Sequence, residues 1–267
     1  MDDHNLSGKS PVDIMVDFVV TLLCWTYFIF GFLCVFSFFY VAAYLFSTDR
    51  ERSFQYLNHL FYKGFLWLLR TLAPRHRWKL DPDIKNIHGS IVVCNHLSYL
   101  DPLIFISLLP CNKTIVKTKF FQAPVFGWLI KVSGYLPATT EGRYGKRMIE
   151  QIESMGDFLR NGGNLFIFPE GTRNPGGVVG DFHRGVFKIA RMYRCPIQVL
   201  RLCNTDKLFT PGRFFFNTRE HNCISLKILD RITPETDQNQ PVSVSGLEKE
   251  VRRIFQSKGC DKSGIEL

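Results

Sequence analysis

In His96-Leu97-Ser98-Tyr99-Leu100-Asp101 a base and a carboxylate stand five residues apart. A turn between them can bring the carboxylate to the imidazole. There it would fix one tautomer and stabilise the cation formed when the other nitrogen takes a proton. A neutral imidazole held this way is a general base near pH 7, a role typically worth about 10² to 10⁴ in rate. Farther along, Phe168-Pro169-Glu170-Gly171-Thr172-Arg173 offers a seat for an anion. Gly171 permits close backbone approach, Thr172 adds a hydroxyl, and Arg173 presents a planar fork suited to phosphate or carboxylate. Both stretches also permit plainer roles. Asp101-Pro102 is a good helix start, with Asp as N-cap and Pro in the first turn, and a Glu-Gly-x-Arg run is compatible with a surface turn carrying one salt bridge. Ser98 lacks the Gly-x-Ser-x-Gly elbow of a serine hydrolase.

Short apolar runs at Ser90–Cys94, Thr114–Val116, Leu165–Phe168, Ile197–Leu200 and Ile224–Leu229 read as strands. Helical periodicity marks Asp101–Leu109, Tyr144–Arg160, Gly185–Tyr193 and Leu247–Gln256. The alternation predicts an α/β fold, a mixed and largely parallel sheet flanked by helices. His96 and Glu170 each follow a predicted strand, which places both motifs at carboxyl ends, where open α/β sheets carry their chemistry.

Upstream lies a different kind of segment. Phe18 to Phe46 is 29 residues without a charge. As a helix it would be about 43 Å long, beyond the roughly 30 Å of a hydrocarbon core. It predicts one N-terminal membrane anchor, tilted or kinked near Gly31, that spans or partly inserts; the acidic leader and the length of the run argue against a cleaved signal. Glu51–Leu72 is amphipathic and is ended by Pro74; it reads as an interfacial helix on the bilayer beside the anchor, with a cap on the catalytic domain as the alternative. The expected divisions are therefore 1–46 (leader and anchor), 47–80 (interfacial helix and basic linker) and 81–267 (catalytic domain).

Of the +9 net charge, −3 lies in residues 1–46, leaving +12 for the rest. Arg50, Arg52, Lys63, Arg70, Arg75, Arg77 and Lys79 follow the apolar run, so the positive-inside rule turns the C-terminal part to the cytoplasm, as at a bacterial inner membrane. A surface this basic suits anionic lipid headgroups or an acidic carrier protein. The charge is dispersed and no reading helix accompanies it, which disfavours nucleic acid as a partner. The eight cysteines form no CxxC pair, and in a cytoplasmic domain they are expected to be reduced, small and buried rather than metal-binding.

The paired motifs resemble the His-x-x-x-x-Asp and Phe-Pro-Glu-Gly-Thr-Arg blocks of the glycerolipid acyltransferase family, in particular its 1-acylglycerol-3-phosphate acyltransferases. Pro124-Val125-Phe126-Gly127-Trp128, Phe182-His183-Arg184-Gly185 and Cys195-Pro196-Ile197-Gln198-Val199 are similar to further blocks, in the same order. The resemblance implies that His96, held by Asp101, deprotonates an acceptor hydroxyl that attacks an acyl thioester of CoA or acyl carrier protein. It implies neither a covalent acyl-enzyme nor a metal nor another cofactor. It assigns Glu170, Gly171, Thr172 and Arg173 to the acceptor site, with Arg173 on a phosphate and Glu170 orienting Arg173 or binding acceptor hydroxyls. One position departs. Thr140 stands where the family carries an arginine, leaving Arg143, Lys117 and Lys119 to supply charge, or pointing to a lysolipid or lyso-aminolipid with another headgroup. Phe105, Phe120, Phe121, Phe126 and Trp128 are candidates for an acyl groove, and equally for core. A non-catalytic lipid-binding protein would have no physical need to keep His96, Asp101, Glu170 and Arg173 together.

Overall fold

A computed structural model describes residues 9–139, 141–174, 180–235 and 242–260. Seven strands form one sheet: β1 (His76–Leu80), β2 (Ile91–Cys94), β3 (Asn112–Val116), β4 (Leu136–Pro137), β5 (Asn164–Ile167), β6 (Ile197–Cys203) and β7 (Asn222–Ile232). Their order is β1-β7-β6-β2-β5-β3-β4, parallel throughout except for the β6–β7 pair. The predicted mixed, largely parallel sheet is what the structure contains.

The central strands β2 (Ile-Val-Val-Cys) and β5 (Asn-Leu-Phe-Ile) are buried at every position, as expected for strands covered on both faces. Alternation divides them between two cores. Val92, Cys94 and Phe166 face a layer built from α3 (Arg50–Leu72) and α4 (Asp101–Leu108). Ile91, Val93, Leu165 and Ile167 face α8 (Gly185–Tyr193) and α10 (Val244–Ser257). Each fully buried large side chain, such as Phe65 or Phe187, contributes about 1.5–3 kcal/mol.

Two expectations change. The basic linker before residue 81 is strand β1, hydrogen-bonded along β7, so the sheet begins at His76. The single helix expected over Tyr144–Arg160 is two, α6 (Gly142–Glu153) and α7 (Met155–Arg160). Pro124–Val132 is a further helix, α5, with Gly127 so close to the Phe121 carbonyl that a Cβ there would lie 2.5 Å from its oxygen.

The N-terminal run is one continuous helix: α1 (Pro11–Thr26), wide i→i+5 turns over Tyr27–Phe36 around Gly31, then α2 (Ser37–Phe46). By length and composition it is able to cross a membrane. It does not stand apart from the rest of the chain. Asp17 accepts hydrogen bonds from the Thr218 amide (2.8 Å) and hydroxyl (2.6 Å). At the other end the Tyr40 hydroxyl donates to Asn58 on α3 (2.6 Å). The turn Ser47–Asp49 reverses the chain, Asp49 caps α3 through the Arg52 amide, and Phe28 packs on Phe65 and Phe36 on Phe61 in a helical hairpin. The opposite face of the helix exposes Phe18, Leu22, Phe30, Leu33, Phe38 and Phe46.

The cysteines also differ from expectation. Cys203, at the end of β6, is disulfide-bonded to Cys260, because α10 crosses the sheet and returns the chain beside that strand end. Six others are free.

Candidate active site

β2 and β5 are parallel neighbours, with Val93 level with Ile167, so the segments leaving their carboxyl ends emerge side by side. From β2 the chain turns through His96. The carboxylate of Asp101 folds back into that turn: Oδ2 lies 2.8 Å from His96 Nδ1 and accepts from the amides of Leu97 (2.6 Å) and Ser98 (2.8 Å). Asp101 is therefore not the cap of α4, which is Leu100; its carboxylate organises the turn around His96. It is completely buried, whereas the His96 side chain keeps 15% of its exposure. Among the described residues no hydrogen bond engages His96 Nε2, and the ring lines a large cleft. A buried carboxylate on Nδ1 with an open Nε2 is the arrangement of a general base.

From β5 the chain passes through Phe168, whose ring stacks on His96 at 4.2 Å between centroids and 16° between planes. Gly171 follows with φ +65°, a left-handed conformation in which a Cβ would lie 2.8 Å from His183 Nε2. The two turns are joined directly, since the Asn174 amide donates to the His96 carbonyl at 2.8 Å. Glu170 is buried and serves this second turn. Its carboxylate accepts from the Asn174 side-chain amide and from the Gly180 backbone amide. Among the described residues it forms no ion pair with Arg173, contrary to one of its expected roles. Arg173 instead lies 3.7 Å above the Tyr99 ring, so an aromatic face from the first motif carries the cation of the second.

The cleft has a volume of about 1220 Å³. Its lining includes His96, Gly171, Arg173, Lys117 and Lys119 from the expected set, together with His183 and Lys188. Its apolar walls come from Leu103, Phe120, Phe126 and the helical hairpin residues Phe28, Ile29 and Phe32. Of the five aromatic groove candidates only Phe120 and Phe126 face this space. Phe105 and Phe121 are core, and Trp128 packs on Tyr44 and Phe54. Thr172 is exposed and outside the cleft lining. Arg143 also lies outside, bonded to the Tyr144 hydroxyl. Thr140 lies outside the described residues.

Cys94, two residues before His96 and buried in the core, is not a competing nucleophile. Burial, reinforced by the charge of Asp101, holds the Cys94 thiol far above the usual thiol range, so it is not a thiolate. Among the described residues no cluster of His, Cys, Asp or Glu could hold a metal. Sequence reasoning missed Phe168 as the platform for His96, and Asn174, His183 and Lys188. An aromatic residue immediately before the second turn was the available signal for the first of these.

The pattern of the acyltransferase family matches residues 77–202. The 1-acyl-sn-glycerol-3-phosphate acyltransferase BAT2 of Brassica napus is 30% identical over 156 residues, covering 55% of this chain and 43% of the relative. The 1-acyl-sn-glycerol-3-phosphate acyltransferase of Saccharomyces cerevisiae is 28% identical over 179 residues, 64% of this chain and 53% of the relative. The chain thus spans about half the length of these curated relatives or less. The crystal structure of the 1-acyl-sn-glycerophosphate acyltransferase PlsC from Thermotoga maritima superposes with a TM-score of 0.70 at 22% identity, over 92% of this chain and 95% of that one, which establishes the shared fold. Residues 77–202, which hold both motifs joined at one sheet edge, are thus similar to the acyltransferase family in sequence, and the chain has the fold of its solved relative.

Proposed function

We propose that the chain transfers a fatty acyl group from the thioester of acyl-CoA or acyl carrier protein to the free hydroxyl of 1-acylglycerol-3-phosphate, giving phosphatidic acid at the cytoplasmic face of a membrane. The observation that carries this reading is His96, held by Asp101, lining one cleft together with basic and apolar side chains. His96 Nε2 takes the proton of the acceptor hydroxyl, and the oxygen attacks the thioester carbonyl. Collapse of the tetrahedral intermediate breaks the C–S bond, and the imidazolium returns the proton to the departing thiolate. Asp101 on Nδ1 stabilises the imidazolium between these two transfers. No metal and no cofactor beyond the thioester co-substrate enter the scheme.

Arg173, Lys117 and Lys119 supply the charge for a phosphomonoester, compensating for the family arginine that the sequence replaces with Thr140. Arg143, turned onto Tyr144, has no part in this. The apolar walls take the acyl chains, and the exposed face of the N-terminal helix opens the same side of the molecule to lipid. The same chemistry on a lysolipid with a larger headgroup is the competing reading. Purified full-length protein, one acyl-CoA and a panel of lysolipids separate the two. Turnover of lysophosphatidic acid, abolished in His96→Ala, is expected; turnover of another lysolipid alone would overturn the choice of acceptor.

A further inference from the structure

We propose that Thr205 is a positioning residue for the base, acting through Asp101. The inference rests on the general-base reading of His96. Asp101 Oδ2 is engaged by His96 and two backbone amides, while Oδ1 accepts from the Thr205 hydroxyl at 2.6 Å. Both Asp101 and Thr205 are completely buried. A buried carboxylate oxygen without a donor is costly, and hydrogen bonds to ionised groups are the stronger kind. With three donors on one oxygen and one on the other, the plane of the carboxylate is set by Thr205. That plane decides whether Oδ2 points at Nδ1.

Thr205 is delivered to this place by its own local structure. It follows β6, the strand on the other side of β2 from β5. Past the last β2–β6 pair, Asn95 extends the ladder with its side chain: Nδ2 donates to the Leu202 carbonyl (2.8 Å) and Oδ1 accepts from the Leu202 amide (2.9 Å). Asn204 then adopts φ +64° and turns the chain into the short helix α9 (Thr205–Leu208). Asparagine tolerates this left-handed conformation better than most residues. The next segment is tied to the same turn, because the Ser98 hydroxyl donates to the Phe209 carbonyl at 2.6 Å. The base is thus held by three adjacent strand ends. β2 carries His96, β5 carries its stacking partner Phe168, and β6 carries the group that orients its carboxylate.

The test compares Thr205→Val with Thr205→Ser in the full chain. Valine keeps the shape and loses the hydroxyl; serine keeps the hydroxyl and loses the methyl. We expect Thr205→Val to lower kcat about ten- to a hundredfold with KM for donor and acceptor nearly unchanged, and Thr205→Ser to restore most of it. Unfolding midpoints of both variants, measured beside the kinetics, exclude loss of folded enzyme. A wild-type kcat in Thr205→Val overturns the proposal, as does equal loss in both variants. His96→Ala, assayed in parallel, separates this failure from failure of the underlying reading. If that variant retains transfer, the general-base assignment falls, whatever Thr205 does.

Discussion

The rings of His96 and Phe168 lie 4.2 Å apart and nearly parallel, although they arrive from different strands. Phe168 is itself braced edge-on by Phe105 and Phe166. Aromatic pairs of this kind are worth about 0.5–1.5 kcal/mol beyond their burial. Phe168→Leu keeps the apolar volume and removes the flat support, so kcat should fall about two- to tenfold with KM unchanged. Steady-state kinetics on the purified variant check this, and an unaltered kcat would show that the stacking does not position the base.

Arg173 presents its guanidinium from the face of Tyr99. With Arg173 on the acceptor phosphate as proposed, Arg173→Ala would remove charge-assisted hydrogen bonds, each worth about 1.5–3 kcal/mol, and should raise acceptor KM about ten- to a hundredfold. Donor KM should not move. Tyr99→Leu leaves the cation and removes its support, about 0.5–1 kcal/mol, and should give a shift of the same kind but only severalfold. Kinetics with each substrate varied in turn distinguish these outcomes from a general loss of activity.

His76, which does not line the cleft, is buried with both ring nitrogens satisfied in the neutral form. Nε2–H donates to the Asn217 carbonyl at 2.7 Å, and Nδ1 accepts from the Asn222 side-chain amide at 3.1 Å. Burial pulls its pKa below the usual 6.5, outweighing the opposing hydrogen bond to Asn217. The unfolded chain therefore binds a proton in a window below pH 6.5 where the folded chain does not. Stability is full above that window and is lost as pH falls through it. The unfolding midpoint should drop between about pH 7.5 and about pH 5.5, and His76→Asn should flatten part of that slope. His59, also lowered by burial, accounts for a remainder of the same sign. A midpoint independent of pH over this range would contradict both assignments.

Cys203 and Cys260 close a loop whose ends are 57 residues apart in sequence. In oxidised protein, Cys260→Ser should cost about 2–4 kcal/mol of stability, and the difference should vanish in reductant. Peptide mapping without reduction should recover the Cys203–Cys260 pair. Denaturation curves that coincide for the two proteins under oxidising conditions would refute the link.

The sequence by itself determined the class of fold, the course of the long apolar helix and the two motifs. Each of these is a local property. Periodicity and turn residues act over a few positions, and β2 and β5 announce themselves because strands covered on both faces must be apolar throughout. The pairing of His96 with Asp101 was legible for the same reason, since five residues and one turn connect them.

What surrounds that pair was decided only by the tertiary structure. Thr205 reaches Asp101 across 104 positions of chain, and Phe168 reaches His96 because β5 and not another strand lies beside β2. Glu170 finds Asn174 and Gly180 instead of Arg173. The extended N-terminal helix is held to α3 through Tyr40–Asn58 and to the segment before β7 through Asp17–Thr218, contacts that hydropathy alone does not specify. Strand order and helix docking are set by the summed burial of many side chains, to which no single spacing in the chain corresponds.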